Sequence, residues 1–227
     1  MVASLDLARR RCIVKAYTWA GNEPILSSKR LPGEEVLVRV SRLLDRARLR
    51  EARRTAQAAL DHAPDLADGH YALGLVLTHG EQIEEADAAF ARAAALGPTE
   101  YFLPYRVERE EFERLVEEAL DSLPSEFQHH LENVEVAIED VPSRSLLRDD
   151  VGHDTLGLYQ GDSIQSSDWG FPDRILLFRR NLENISPDRE TLVKEIRATV
   201  LHEVGHHLGM EEDHLEQIER DDGAWDD

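Results

Sequence analysis

The apolar residues between Glu34 and Pro98 recur at spacings of three and four, with few helix breakers, and this pattern predicts amphipathic helices. The stretch also repeats itself with a period of 34 residues. The matched positions are Pro64 and Pro98, Ala52 and Ala86, Ala59 and Ala93, and Ala56 and Phe90. The region from 34 to 104 is therefore predicted to contain two copies of a helical hairpin.

The second copy, ADGHYALGLVLTHGEQIEEADAAFARAAALGP at 67–98, has small and aromatic residues where two antiparallel helices approach closely. It resembles a tetratricopeptide repeat, a family of 34-residue helical hairpins that bind proteins. The matching residues are Tyr71, Leu73, Gly74, Ala86, Phe90, Ala93 and Pro98. The copy at 33–64 is weaker, because its first helix lacks the aromatic residue and the glycine. The resemblance implies a surface for a protein adaptor.

Two such hairpins cannot bury their faces alone, so a further surface is expected to cover them. The next predicted helix, YRVEREEFERLVEEALDSLP at 105–124, could cap the hairpins, open the following domain, or do both. We assign it to the following domain, at 105–227. Residues 1–33 are mixed in character, with a linker-like NEPILSSKRLPG, and are expected to be poorly ordered.

After Pro124 the pattern changes to short strands. Alternating apolar and polar residues at 131–140, the short stretch GLYQG at 157–161 and RILLFRR at 174–180 each predict a strand. The polar residues between the last two predict a loop. Strands followed by a long helix indicate a small α/β domain, so the whole chain is predicted to be α+β.

A last helix is predicted from about Pro187 to Leu208. Ser186 suits its N-cap, Pro187 its first position, and Asp188 its first turn, where the helix dipole favours an anion. Gly209 suits a left-handed cap at the other end.

Composition narrows the classes of protein. The chain has 227 residues, of which 41% are hydrophobic and 32% charged, as in globular proteins, and no apolar run is long enough to span a membrane. A formal charge of −20 argues against nucleic-acid binding. No secretory signal is recognisable, and the single cysteine, Cys12, cannot form an internal disulfide, so a cytoplasmic location is expected.

Candidate chemistry lies in LHEVGHHLGMEEDH at 201–214, near the end of the last helix. His202 and His206 are four residues apart and project from one helix face, so that their imidazoles can share a metal ion. Glu203 lies about 100° around the helix and can hold a water without being a ligand. The pattern is H-E-x-x-H, the arrangement of zinc peptidases.

A catalytic zinc usually has three protein ligands and one open position. Only 21 residues follow His206, which leaves little chain for a ligand from a further helix. If Gly209 turns the chain back, the residue six after His206 can reach the metal, and this is Glu212. Asp213 and His214 are alternatives, ranked in that order. The methionines are Met1 and Met210, so no Met-turn of the metzincin kind follows.

Residues from about 106 to 220 resemble the small bacterial family of zincin-like minimal metallopeptidases. The resemblance rests on GLYQG, on RILLFRR and above all on LHEVGHHLGMEEDHLE. It implies a zincin-like fold that binds zinc through His202 and His206, with Glu203 as base and an acidic third ligand. That family favours Asp at the position of Glu212, which keeps Asp213 open as the ligand.

The function predicted is hydrolysis of peptide bonds by a water that zinc activates and Glu203 deprotonates. In zincins the substrate lies along a sheet edge, and residues 174–180, with Ile175 and Leu177, are the candidate edge. Peptides or proteins are the expected substrates. The alternative is a zincin-like domain with little or no turnover that acts as a protein-interaction module, since the small domain leaves little chain for specificity pockets.

Several residues near the motif are assigned simpler roles. His207 points about 100° away from His206 and is expected to support the site without binding metal. Tyr159 is interpreted as a packed strand aromatic, with donation to an oxyanion as the alternative. His129 and His130 are interpreted as loop residues. The acidic tail is interpreted as a solvated terminus, on which Trp225 could dock.

Overall fold

A computed structural model describes residues 12–15, 32–131, 133–161 and 173–210. The N-terminal helical region contains helices α1 (Pro32–Asp45), α2 (Leu49–His62), α3 (Ala67–Thr78) and α4 (Ile83–Leu96). The sheet region contains β1 (Cys12–Lys15), α5 (Arg109–Asp121), α6 (Ser125–Gln128), β2 (Glu135–Glu139), α7 (Arg144–Arg148), β3 (Thr155–Gln160), β4 (Arg174–Phe178), α8 (Arg179–Asn184) and α9 (Arg189–His207). The chain is α+β, as predicted.

The two hairpins of the helical region follow the 34-residue period. Helices α2 and α4 both contain 14 residues and begin 34 positions apart, at Leu49 and Ile83. Close packing between α3 and α4 depends on Gly74, because a Cβ there would lie 2.7 Å from the ring of Phe90. The small residues of the pattern therefore lie where the paired helices are closest.

Residues 97–108 connect α4 to α5 and begin with a turn, in which the N–H groups of Glu100 and Tyr101 donate to the carbonyl of Gly97. The ring of Tyr101 stacks on Tyr71 with centroids 4.7 Å apart, and its hydroxyl donates to Asp68. The predicted helix start at 105 is wrong, since α5 begins at Arg109. The backbone N–H of Tyr105 instead donates to the carbonyl of Ser186, at 2.8 Å, which draws the segment against the sheet region.

A buried ionic network joins the two regions. The carboxylate of Glu183 on α8 is fully buried and accepts from Arg106 and Arg180, both at 3.2 Å, and from Arg179 at 3.4 Å. Arg106 also donates to Asp87 on α4, at 2.8 Å. Burial raises the pKa of Glu183, and the three guanidinium groups oppose this rise. The network links α4 of the helical region to α8 of the sheet region.

A second contact joins α1 to the loop before β3. Asp45, the last residue of α1, accepts from the backbone N–H of His153 at 2.9 Å and lies 2.7 Å from its Nδ1. His79, at the end of α3, faces the His153 ring with centroids 6.1 Å apart. Burial, and the charge of His153, lower the pKa of His79 to about 4.

The described strands form one sheet in the order β1-β3-β4-β2. Strand β4 runs parallel to β2 and antiparallel to β3, and β1 pairs antiparallel with β3. The interpretation of residues 174–180 as the sheet edge is therefore wrong, since β4 lies between two strands. The strand is also shorter than predicted, because α8 begins at Arg179. Helix α9 packs on one face of the sheet, where it contacts β3 most extensively and also β1 and β4.

Helix α9 has a defined cap at each end. Its N-cap is Asp188, whose carboxylate accepts from the backbone N–H of Thr191 at 2.8 Å, and not Ser186 as predicted. The hydroxyl of Ser186 instead donates to the carbonyl of Leu182. At the other end Gly209 has φ of 77°, as the predicted left-handed cap requires. The bonds from Gly209 N–H to His206 O and from Met210 N–H to Gly205 O form a Schellman motif.

Candidate metal centre

The last two turns of α9 carry His202, Glu203 and His206. Their side chains are buried, with exposed fractions of 4%, 0% and 5%. The apolar residues Leu201 and Val204 are buried beside them in the core that α9 shares with α5 and the sheet. Charged and polar groups are rarely buried without a function or a partner, so this end of α9 is a candidate functional site.

The two histidine rings have the separation that a shared zinc ion requires. Their centroids lie 4.5 Å apart with the ring planes inclined by 74°. Two imidazoles bound to one tetrahedral zinc at normal Zn–N distances have centroids about 5 Å apart. The donor set therefore fits a zinc ion with a small adjustment of the rings.

Glu203 is held against β3 by a glycine. A Cβ at Gly157 would lie 2.7 Å from Oε1 of Glu203, 2.9 Å from its Cγ and 2.6 Å from Cγ2 of Thr199. Any other residue at 157 would occupy the space of the Glu203 side chain. Gly157 was noted in the GLYQG stretch, but the sequence gives no indication that it faces Glu203, because the contact joins residues 46 positions apart.

His207 points away from the other two histidines and contacts three separate elements. Its Nε2 lies 3.1 Å from the carbonyl of His130, in the turn before β2. Its Nδ1 lies 3.2 Å from the hydroxyl of Tyr159, on β3, and 3.1 Å from Oδ2 of Asp173, just before β4. Tyr159 is a buried core aromatic, as interpreted, but its hydroxyl is also engaged.

The predicted third ligand cannot be placed. Glu212, Asp213, His214 and Trp225 lie outside the described residues. Within the described ranges, no group of three His, Cys, Asp or Glu side chains is arranged to hold a metal ion. The described part of the site therefore consists of the imidazoles of His202 and His206, which are predicted ligands, and the carboxylate of Glu203, which is the predicted base.

Ile175 and Leu177, named as substrate-edge residues, are 1% and 0% exposed and belong to the core beneath β4. They cannot line a groove on the surface.

His129 is exposed in a single 3-10 turn, His129–Leu131, and belongs to a connection between elements, as interpreted.

Comparison with known proteins supports the resemblance for the C-terminal part. Residues 131–222 match a family model described as zincin-like metallopeptidase, and the match covers about two fifths of the chain. It includes β2, β3, β4 and the whole of α9. The search of curated proteins returned no match. Among the described helices none is both long and apolar enough to cross a membrane.

Proposed function

We propose that this chain is a zinc-dependent metallopeptidase whose catalytic domain is formed by residues 105–227 together with strand β1, which completes their sheet. The observation that supports it best is the arrangement of His202, Glu203 and His206 on one buried end of α9, within the segment that matches the zincin-like family. The spacing of the two rings, 4.5 Å between centroids, suits a tetrahedral zinc.

In this proposal His202 and His206 hold the metal. A bound zinc ion supplies Lewis acidity, which lowers the pKa of a water and polarises the carbonyl of the substrate. Glu203 is the general base: its carboxylate takes the proton of the water and passes it to the leaving amine. The close packing of Glu203 on Gly157 limits the positions from which it can act, and this restriction favours proton transfer in a fixed geometry.

The third ligand is proposed to come from the residues after α9. The Schellman motif at Gly209 turns the backbone off the helix axis one turn after His206. A following residue with a metal-binding side chain can then approach the metal, with Glu212 as the first candidate, Asp213 as the second and His214 as the third. Metal affinity of the three single alanine variants ranks them.

An extended peptide is the substrate that this sheet suits, because strand addition uses backbone hydrogen bonds at a sheet edge. Of the two edge strands in the described sheet, β1 is the one that contacts α9, while β2 lies beyond β4. We therefore propose that the substrate adds to strand β1, and not to residues 174–180. The helical region, through the tetratricopeptide-like residues 67–98, is proposed to bind a protein adaptor or substrate in the cytoplasm.

The variant Glu203→Gln tests the proposal. It preserves the shape of the side chain and removes its basicity, so it should retain one zinc per chain and lose peptide hydrolysis. Zinc content is measured by elemental analysis and hydrolysis by digestion of an unbiased peptide library with zinc present. A wild-type chain that binds no divalent metal when zinc is supplied contradicts the proposal. Stoichiometric zinc without reproducible cleavage by the wild type supports the alternative of an interaction module.

A further inference from the structure

His207 occupies the position on α9 where three chain segments meet. These are the turn that ends at Leu131, the C-terminal end of β3 and the residue that leads into β4. Its side chain is 4% exposed, although a histidine at a helix end is ordinarily solvated. Its ring also packs edge-on against Tyr159, with centroids 5.5 Å apart.

Both ring nitrogens of His207 have partners outside the helix. A carbonyl can only accept, so Nε2 carries a proton and donates to His130 O, at 3.1 Å. Nδ1 accepts from the Tyr159 hydroxyl when the ring is neutral and donates to Asp173 when the ring is charged. The ring is therefore anchored in either protonation state.

We propose that His207 is a positioning residue that holds the last turn of α9, and with it His206, against the sheet region. This inference rests on the proposed function, since it assigns His206 as a metal ligand. The Schellman motif bonds the carbonyls of Gly205 and His206 to the residues that follow the helix, but it does not tie the last turn to the sheet region, and a helix end is less restrained than its interior. His206 lies in that last turn, whereas His202 is one turn further inside the helix. We call the contacts of the His207 ring with these segments the anchor. Loss of the anchor should displace His206 more than His202.

The space around the anchor is closely filled. A Cβ at Gly161 would clash with both the carboxylate of Asp173 and the hydroxyl of Tyr159. On the side of Gly161, the two partners of Nδ1 therefore have little room to follow a displaced ring. A substitution at 207 should lose the contact instead of being compensated by movement of its partners.

The test compares His207→Ala with two variants that each keep half of the anchor. The amide nitrogen of Gln lies near the position of Nε2 and can donate to His130 O, whereas the amide of Asn lies near the position of Nδ1. Zinc affinity is measured by competition with a chromophoric chelator, and the geometry of the site by the visible absorption spectrum of the Co²⁺ form. Loss of a hydrogen bond to a metal ligand typically weakens metal binding about 10- to 100-fold, and because His207 acts through the backbone of α9 and not on the ring of His206, about 10-fold is expected here.

We expect His207→Ala to weaken zinc binding by about that factor and to change the Co²⁺ spectrum, and His207→Gln to restore most of the affinity. Gly74→Ala, a packing change in the helical region, controls for general loss of stability and should bind zinc as the wild type does. Wild-type zinc affinity and an unchanged Co²⁺ spectrum in His207→Ala overturn the proposal.

A second readout needs neither metal nor turnover. Amide hydrogen exchange of the metal-free chain should be faster at Leu208, Gly209 and Met210 in His207→Ala than in the wild type, and near normal in His207→Gln. Equal exchange in all three chains overturns the proposal. If the Ala variant does not fold, His207→Asn and Tyr159→Phe are measured in its place. A wild type that binds zinc without cleaving peptides contradicts the proposed peptidase function. The role of His207 is judged separately, from the zinc affinities, the Co²⁺ spectra and the hydrogen exchange.

Discussion

Replacing Gly157 by alanine should impair catalysis without removing a metal ligand. The added Cβ would lie 2.6 Å from Cγ2 of Thr199 and 2.7 Å from Oε1 of Glu203. Carbon atoms in favourable contact are about 3.5–4.0 Å apart, so the overlap is about 1 Å. Neither neighbour can move away into solvent, because Thr199 is 2% exposed and Glu203 is 0% exposed. Either Glu203 changes rotamer, or β3 and α9 move apart.

These two responses determine the expected losses of stability and of catalytic rate. Overpacking a filled core by one methyl group costs about 1–3 kcal/mol, partly offset by the entropic gain of up to about 1 kcal/mol when glycine leaves a strand. For a chain of this size the melting temperature should fall by roughly 2–8 °C. A displacement of about 1 Å at a reacting group can lower the rate about 100-fold. Zinc content should remain at the wild-type level, because His202 and His206 are on the same helix and move together.

The assay measures kcat/KM on a peptide that the wild type cleaves, together with zinc content and melting temperature. Gly74→Ala is a matched control, since its Cβ would lie 2.7–2.9 Å from the ring of Phe90, in the helical region. With a short peptide substrate, which does not depend on binding to the helical region, it should lower stability and leave kcat/KM unchanged below the melting temperature. If Gly157→Ala retains kcat/KM within about twofold of wild type, Glu203 does not act from its position against β3, and the reasoning is wrong.

Two further predictions concern the contact between the regions. Glu183→Gln leaves the guanidinium groups of Arg106, Arg179 and Arg180 without their shared carboxylate, so it should cost about 3 kcal/mol and lower the melting temperature by roughly 10 °C. The control Glu113→Gln, at the exposed pair with Arg109, should cost less than about 1 kcal/mol. Equal melting temperatures of the two variants would contradict a stabilising network. His79 has a folded-state pKa of about 4, below its ordinary 6.5, so its contribution to stability is complete above pH 6.5 and is lost as the pH falls towards 4. Denaturant titrations of the metal-free chain at pH 7 and pH 4.5 should show about 2 kcal/mol more acid destabilisation for the wild type than for His79→Gln, and identical losses would refute the lowered pKa.

The sequence predicted best those features that depend on neighbours along the chain. The period of 34 agrees with the starts of α2 and α4, which lie 34 residues apart, and Gly209 forms the predicted cap after α9. His202, Glu203 and His206 lie within five consecutive residues of one helix, so helix geometry alone places the two rings on one face. These predictions needed no knowledge of the tertiary fold.

Features that depend on pairing between distant segments were not predictable in the same way. Residues 131–140 and 174–180 have equally strand-like patterns, and nothing local indicates that β4 lies between β2 and β3. Strand β1 has four residues, and its partner Tyr159 is 147 positions from Cys12, so its sequence carries no sign of the pairing. The helix start at 105 failed for a related reason: its helical pattern is continuous, but Tyr105 is bonded to Ser186.

The same division applies within the candidate site. The proposed ligands and base come from one short segment, whereas their supports, Gly157 and the partners of His207, come from distant ones. A motif search therefore identifies the reacting groups but not the residues that fix their positions. Because a displacement of about 1 Å can change a rate about 100-fold, H-E-x-x-H without these supports is not sufficient for catalysis. Sequences that share the motif but carry a larger residue at the position of Gly157 are accordingly expected to bind metal and to hydrolyse peptides poorly.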